Sequence, residues 1–94
     1  MTFTERIKQL REQRQLPQRK VAEALDIDSA TYCKIERGER KAKREQLSII
    51  SEFLNADKYE LLSLWLADQV AAVVAGEKDI ADKVLDIAKE NIRK

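Results

Sequence analysis

The chain has no histidine and a single cysteine, Cys33. Without histidine there is no Ser-His-Asp or Cys-His pair, and one thiol makes neither a zinc ligand set nor an internal disulfide. An enzyme is therefore not expected, nor is a metal or any other cofactor. Proline occurs once and glycine twice among 94 residues. No segment alternates with a strand-like period, and no internal repeat or low-complexity linker is present. Long apolar runs are absent as well, each being broken by Glu, Asp or Gln, which argues against a signal peptide, a membrane span or any membrane partner and points to a reducing cytoplasm.

What remains is a short, highly charged chain with helical periodicity. Ninety-four residues suit one domain near the lower limit at which an unaided core is comfortable, so a helical extension or dimerisation would add useful burial. The net charge of +1 excludes a general polycation, but the charge is uneven. Met1 to Gln46 carries twelve basic and eight acidic residues, a balance of +4, whereas Leu47 to Lys94 carries six and nine, a balance of −3; only the first half is suited to phosphates.

The most informative stretch is QRKVAEALDIDSATYCKIERGERK, Gln18 to Lys41. Val21, Ala22 and Leu25 share one face of a short helix, with Ala22 small enough for a second helix to cross closely. Asp26 then sits at a corner that needs positive φ, where glycine is cheapest and Asp or Asn next. Asp28 can cap the following helix. At about 100° per residue that helix turns Thr31, Tyr32 and Ile35 to one side and Ser29, Ala30, Cys33, Lys34 and Arg37 to the other. Short, polar and basic side chains suit a helix entering a major groove. The competing reading, a solvated helix in a small bundle, asks nothing of that face. The segment RGERKAKR, Arg37 to Arg44, weighs against it, since five of its eight residues are basic and it directly follows the candidate recognition helix.

Outside this stretch, Thr2 and Glu5 have capping-box spacing, and Phe3, Ile7, Leu10 and Arg14 lie along one stripe, predicting a first helix over 3–15. Leu47, Ile50, Phe53 and Leu54 predict a fourth helix, with Asn55 placed to take a left-handed C-terminal conformation. Asp57 and Glu60 open a fifth, in which Leu61, Leu62, Leu64, Trp65 and Leu66 cover so much of the circumference that it must be covered on two sides. Gly76 interrupts it. A sixth helix follows over 79–91, with Ile80, Val84, Ile87 and Ala88 on one face.

From about Ile7 to Leu66 the chain resembles the phage-repressor and Cro type of helix-turn-helix domain, also called the XRE family. The resemblance implies an all-α fold: a lambda-repressor-like five-helix DNA-binding domain over residues 1–66, with the helix-turn-helix at 18–37, and an additional C-terminal helix in an extension over 67–94. It implies that Ser29, Ala30 and Lys34 read bases, and Cys33 joins them as a small residue on the same face; Ala30 offers only a methyl contact, for example to thymine. Gln18, Arg37, Arg40 and Lys41 fall where the family holds the DNA backbone, and Arg19, Lys43 and Arg44 extend that set. Arg11 and Glu36 match an internal salt bridge between the first and third helices. Pro17 stands where a Ser or Thr cap is usual, and Asp26 where glycine is commoner.

The expected function is a sequence-specific transcriptional regulator binding double-stranded DNA as a homodimer on a two-fold operator. Trp65, Val70, Val73, Val74, Val84 and Ile87 are the expected dimer interface; the alternative is that the sixth helix packs back on its own domain. A phage-type repressor, a restriction–modification controller and a toxin-neutralising antitoxin all fit. A second class of reading is a protein-interaction module whose C-terminal helices bind a partner protein.

Overall fold

A computed structural model describes all residues, 1–94. Six helices follow one another without a strand: α1 (Phe3–Gln13), α2 (Gln18–Leu25), α3 (Ser29–Glu36), α4 (Arg44–Phe53), α5 (Lys58–Val73) and α6 (Ala81–Arg93). The fold is the all-α arrangement expected, with one helix beyond the five.

Helix ends are set by short-range chemistry. At the start of α1, Thr2 accepts from the Glu5 amide while the Thr2 amide donates to Oε1 of Glu5 at 2.8 Å, a complete capping box. Four helices then end in the same way, with a left-handed residue whose amide and whose successor's amide reach back to the last-turn carbonyls. Those residues are Gln15 (φ 55°), Asp26 (φ 57°), Gly38 (φ 77°) and Asn55 (φ 52°). The residues after three of them, Leu16, Ile27 and Ala56, pack against the core, so each corner is also an apolar anchor. Gln15 ends α1 two residues earlier than its periodicity suggests, because a residue at positive φ cannot extend the helix.

The core lies where α1 to α5 converge. Ile7, Val21, Tyr32, Ile35, Ile50, Leu54 and Leu61 are sealed from solvent within it, and each such aliphatic side chain contributes roughly 1.5–3 kcal/mol of burial. α2 packs on α3 and α4, and α1 on α3 and α5. α5 is covered by α1 on one side and α4 on the other, as its apolar circumference requires. Phe53 departs from its expected place: it stays partly exposed on the flank of α4, because Leu54 fills the core position beside it.

The C-terminal part is built differently. Beyond Trp65, α5 exposes Leu66, Val70 and, at 79%, Val73. Val74, expected at an intermolecular interface, is buried within the chain at the turn after α5. α6 begins at Ala81, two residues later than expected, and has no buried residue. Ala81, Val84 and Leu85 are half-covered, while Ile87 and Ile92 are exposed, and α6 makes no extended packing with any other helix. The resulting body measures 41 × 25 × 22 Å. Residue 66 lies within α5, and a turn around Gly76 separates α5 from α6.

Candidate nucleic-acid interface

The corner between α2 and α3 is formed by Asp26 in the left-handed region (φ 57°, ψ 43°). Asp28 then caps α3, its Oδ1 accepting from the Thr31 amide at 2.7 Å. The Thr31 hydroxyl, and then this amide hydrogen bond, hold the Asp28 carboxyl below the ordinary aspartate range. The buried methyl of Ala22 lets α2 and α3 approach closely.

Burial divides α3 into two faces. Tyr32, Ile35 and Glu36 point inward; Ser29, Ala30, Lys34 and the cap residue Arg37 are exposed. Cys33 lies at the edge between them. Rather than facing outward with Ser29 and Lys34, it is half-buried, with its Sγ donating to Oε1 of Gln18 at 2.8 Å. A helical wheel places it on the outer face but cannot show that the start of α2 lies beside it.

A connected polar group fixes the inner face. Arg11 forks onto Glu36, its Nε to Oε2 at 2.7 Å and its Nη2 to Oε1 at 3.1 Å, while Nη1 donates to the Leu16 carbonyl at 2.7 Å. Gln18 Nε2 donates to the same Glu36 Oε1 at 3.1 Å. Gln18, expected to touch the DNA backbone and brace the recognition helix, thus has both ends of its amide engaged by α3. The Arg11 and Glu36 side chains are only 11% and 3% exposed, so α1, α2 and α3 share one desolvated network.

Burial works against ionisation of Glu36, but the hydrogen bond from Arg11, the nearby Tyr32 hydroxyl and the hydrogen bond from Gln18 together outweigh it and hold its pKa below the ordinary 4.5. The Tyr32 phenol, sealed from solvent, is pushed far above the tyrosine range, first by burial and then by Glu36. Its hydroxyl lies close enough to Glu36 to affect ionisation but lacks a hydrogen bond of full geometry. Because the folded pKa of Glu36 is depressed, the stability its ionisation contributes is fully present above the unfolded value and is lost as pH falls through the folded one. Urea midpoints measured from about pH 7 down to about pH 3 should therefore fall in acid, and less steeply in Glu36→Gln. An unchanged acid limb in that variant would assign the loss to other carboxylates.

The remaining cations lie on the loop from α3 to α4, at the start of α4 and at the start of α2. Arg19, Arg37, Arg40, Lys41, Lys43 and Arg44 are all exposed. Arg37 pairs only with the exposed Glu39, a contact worth little in water. The Lys43 amide donates to Oε1 of Gln46 at 2.8 Å, starting α4. Lys41 differs: its Nζ donates to Oε1 of Gln69 at 2.7 Å and lies 5.0 Å from the centre of the Trp65 ring. Trp65, expected at a dimer interface, is half-buried here, its Nε1 donating to the Ala42 carbonyl at 2.9 Å.

Residue patterns did not reveal these α5 contacts, nor that Asp68 accepts from the Phe3 amide at 3.0 Å. Their partners lie 23 to 65 residues apart, beyond any local spacing rule. No group of His, Cys, Asp or Glu is arranged to hold a metal ion. No helix is long and apolar enough to cross a membrane. A family model described as a helix-turn-helix domain matches residues 4–65. No curated protein and no solved structure matches the chain.

Proposed function

The chain belongs to the helix-turn-helix domain family, and from that premise we propose that it is a sequence-specific transcriptional regulator that lays α3 in the major groove and acts as a homodimer on a two-fold operator. One observation carries this reading. The exposed side of α3 presents Ser29, Ala30 and Lys34 on a helix whose other side is fixed by Tyr32, Ile35 and the Arg11–Glu36 pair, while Arg37, Arg40, Lys43 and Arg44 flank it. Base-edge contacts then come from Ser29 and Lys34, a methyl contact from Ala30, and sequence-independent affinity from the flanking cations and Arg19. Gln18 supports α3 from the side through Cys33 and Glu36.

The homodimer reading rests on the apolar surface that the chain leaves uncovered on α5 and α6, at Val70, Val73, Ile87 and Ile92. A cytoplasmic repressor, a restriction–modification controller and an antitoxin remain compatible with such a domain. The same uncovered α6 supports a second reading, in which that helix holds a different protein and DNA contact is secondary.

Selection of bound duplexes from a random pool tests the proposal, and a palindromic consensus is the expected result. Lys34→Ala should then weaken binding to that consensus by about 1–3 kcal/mol and relax preference at one base pair in each half-site. Equal loss on the consensus and on random duplex would make Lys34 a phosphate contact instead.

A further inference from the structure

The loop that carries the flanking cations is fastened to α5 at one point. Between Gly38 and α4 the backbone is irregular, and a groove of about 370 Å³ lies behind it, between the start of α1 and α5. Across that under-filled space, three contacts hold the middle of the loop. The Ala42 methyl is buried in the core, the Trp65 indole N–H donates to the Ala42 carbonyl, and the Lys41 ammonium sits on the Trp65 face while donating to Gln69. Trp65 and Gln69 are four residues apart on α5, so one helical face supplies both partners. Arg40, Lys41 and Lys43 are all exposed and none makes an ion pair within the chain, but Lys41 alone of the three has its side chain held by a hydrogen bond.

We propose that Trp65, Gln69 and Lys41 are positioning residues that latch the α3–α4 loop onto α5, so that Lys41 serves the loop and leaves the phosphates to Arg40 and Lys43. This rests on the DNA-binding reading above for its purpose, though not for its geometry. Although Lys41 is itself exposed, its ammonium is engaged twice within the chain, over a ring and by an amide oxygen. The indole N–H fixes the carbonyl of the next residue, which sets the direction in which the backbone leaves toward Lys43. The latch also makes α5 a physical link between the phosphate-binding loop and the apolar surface one turn further on, at Val70 and Val73.

Salt dependence separates a latch from a phosphate contact. Each phosphate neutralised contributes about 0.9 to the slope of log affinity against log salt. With a random-sequence duplex as probe, Arg40→Gln should reduce that slope by about this amount. Trp65→Phe, which keeps the ring and loses the N–H, should weaken binding about three- to tenfold with the slope unchanged, and Lys41→Met should likewise leave the slope unchanged. A slope for Lys41→Met that falls as it does for Arg40→Gln would make Lys41 a phosphate ligand and overturn the assignment. So would full affinity in Trp65→Phe. Amide exchange of the free full-length protein gives a readout that needs no DNA: in Trp65→Phe the amides of residues 39–43 should exchange faster while those of α1 and α4 do not. Unchanged exchange in the loop refutes the latch, whereas a wild-type chain that binds no duplex refutes the DNA-binding reading and leaves exchange to decide the latch.

Discussion

Replacing Arg11 with alanine is expected to destabilise the fold by about 3–5 kcal/mol, the penalty of leaving a buried charge without its partner. The Glu36 side chain is 3% exposed, and without Arg11 it keeps only the Gln18 amide and the nearby Tyr32 hydroxyl to answer its charge. The Leu16 carbonyl loses its guanidinium donor in the same step, at the turn from α1 into α2. For a chain of this size the melting temperature should drop on the order of 20 °C. Glu36→Ala should cost a comparable amount, since it strands Arg11 and releases Gln18 and then Cys33. Thermal melts of both single variants and the double variant decide the matter. A double variant no worse than either single one shows direct coupling, and simple addition of the two losses would contradict it. Replacing both residues by apolar ones of similar volume should restore much of the loss, because a buried ion pair gains little over well-packed hydrocarbon.

Ending the chain after Gly76 should leave a folded monomer that binds a single half-site as before and a palindrome about 10²- to 10⁴-fold more weakly. This cut keeps α5 whole, with Asp68 on the Phe3 amide and Gln69 on Lys41, whereas a cut after Leu66 would remove both. α6 contributes no buried residue and no extended packing to the domain, so folding should survive its removal. What is lost is the surface around Ile87 and Ile92, and with it the linkage that turns a second half-site contact into an intramolecular event. Sedimentation at micromolar concentration, followed by titration of the palindrome and the half-site, makes the comparison. A shortened chain that still sediments as a dimer would place the interface on α5 alone. A full-length chain that is monomeric in solution and on the palindrome would remove the homodimer and favour the partner-protein reading.

The residues that shape backbone were legible in the sequence, because their partners lie within a few positions. Thr2 with Glu5, Asp28 at the head of α3, and the left-handed Asp26 and Asn55 all act over one turn, and each stands where its residue type suggested. Gln15 was not legible, since glutamine has no preference for positive φ; it takes that conformation because Leu16 must turn inward to the core. The two faces of α3 followed from periodicity except at Cys33, where an edge position on a wheel becomes inside or outside only when the neighbouring helix is known. Lys41 and Trp65 show the same limit over a longer distance. A basic residue in a basic run reads as a phosphate ligand, and an aromatic on a nearly all-apolar helix reads as a core or interface anchor. Neither pattern shows that the two engage each other, which they do because α5 passes beneath the α3–α4 loop.

The four left-handed corners bear on how this chain meets its target. Three of them carry side chains, at Gln15, Asp26 and Asn55, and each such residue accepts roughly 1 kcal/mol or more of local strain that glycine would avoid. In return the unfolded chain has fewer conformations to give up, and the corners lack the freedom of glycine hinges. Because Leu16, Ile27 and Ala56 pin three of the corners to one core, α1 to α5 cannot swing independently. The reading face therefore arrives at a duplex already in shape, and association spends little of its free energy on ordering the protein.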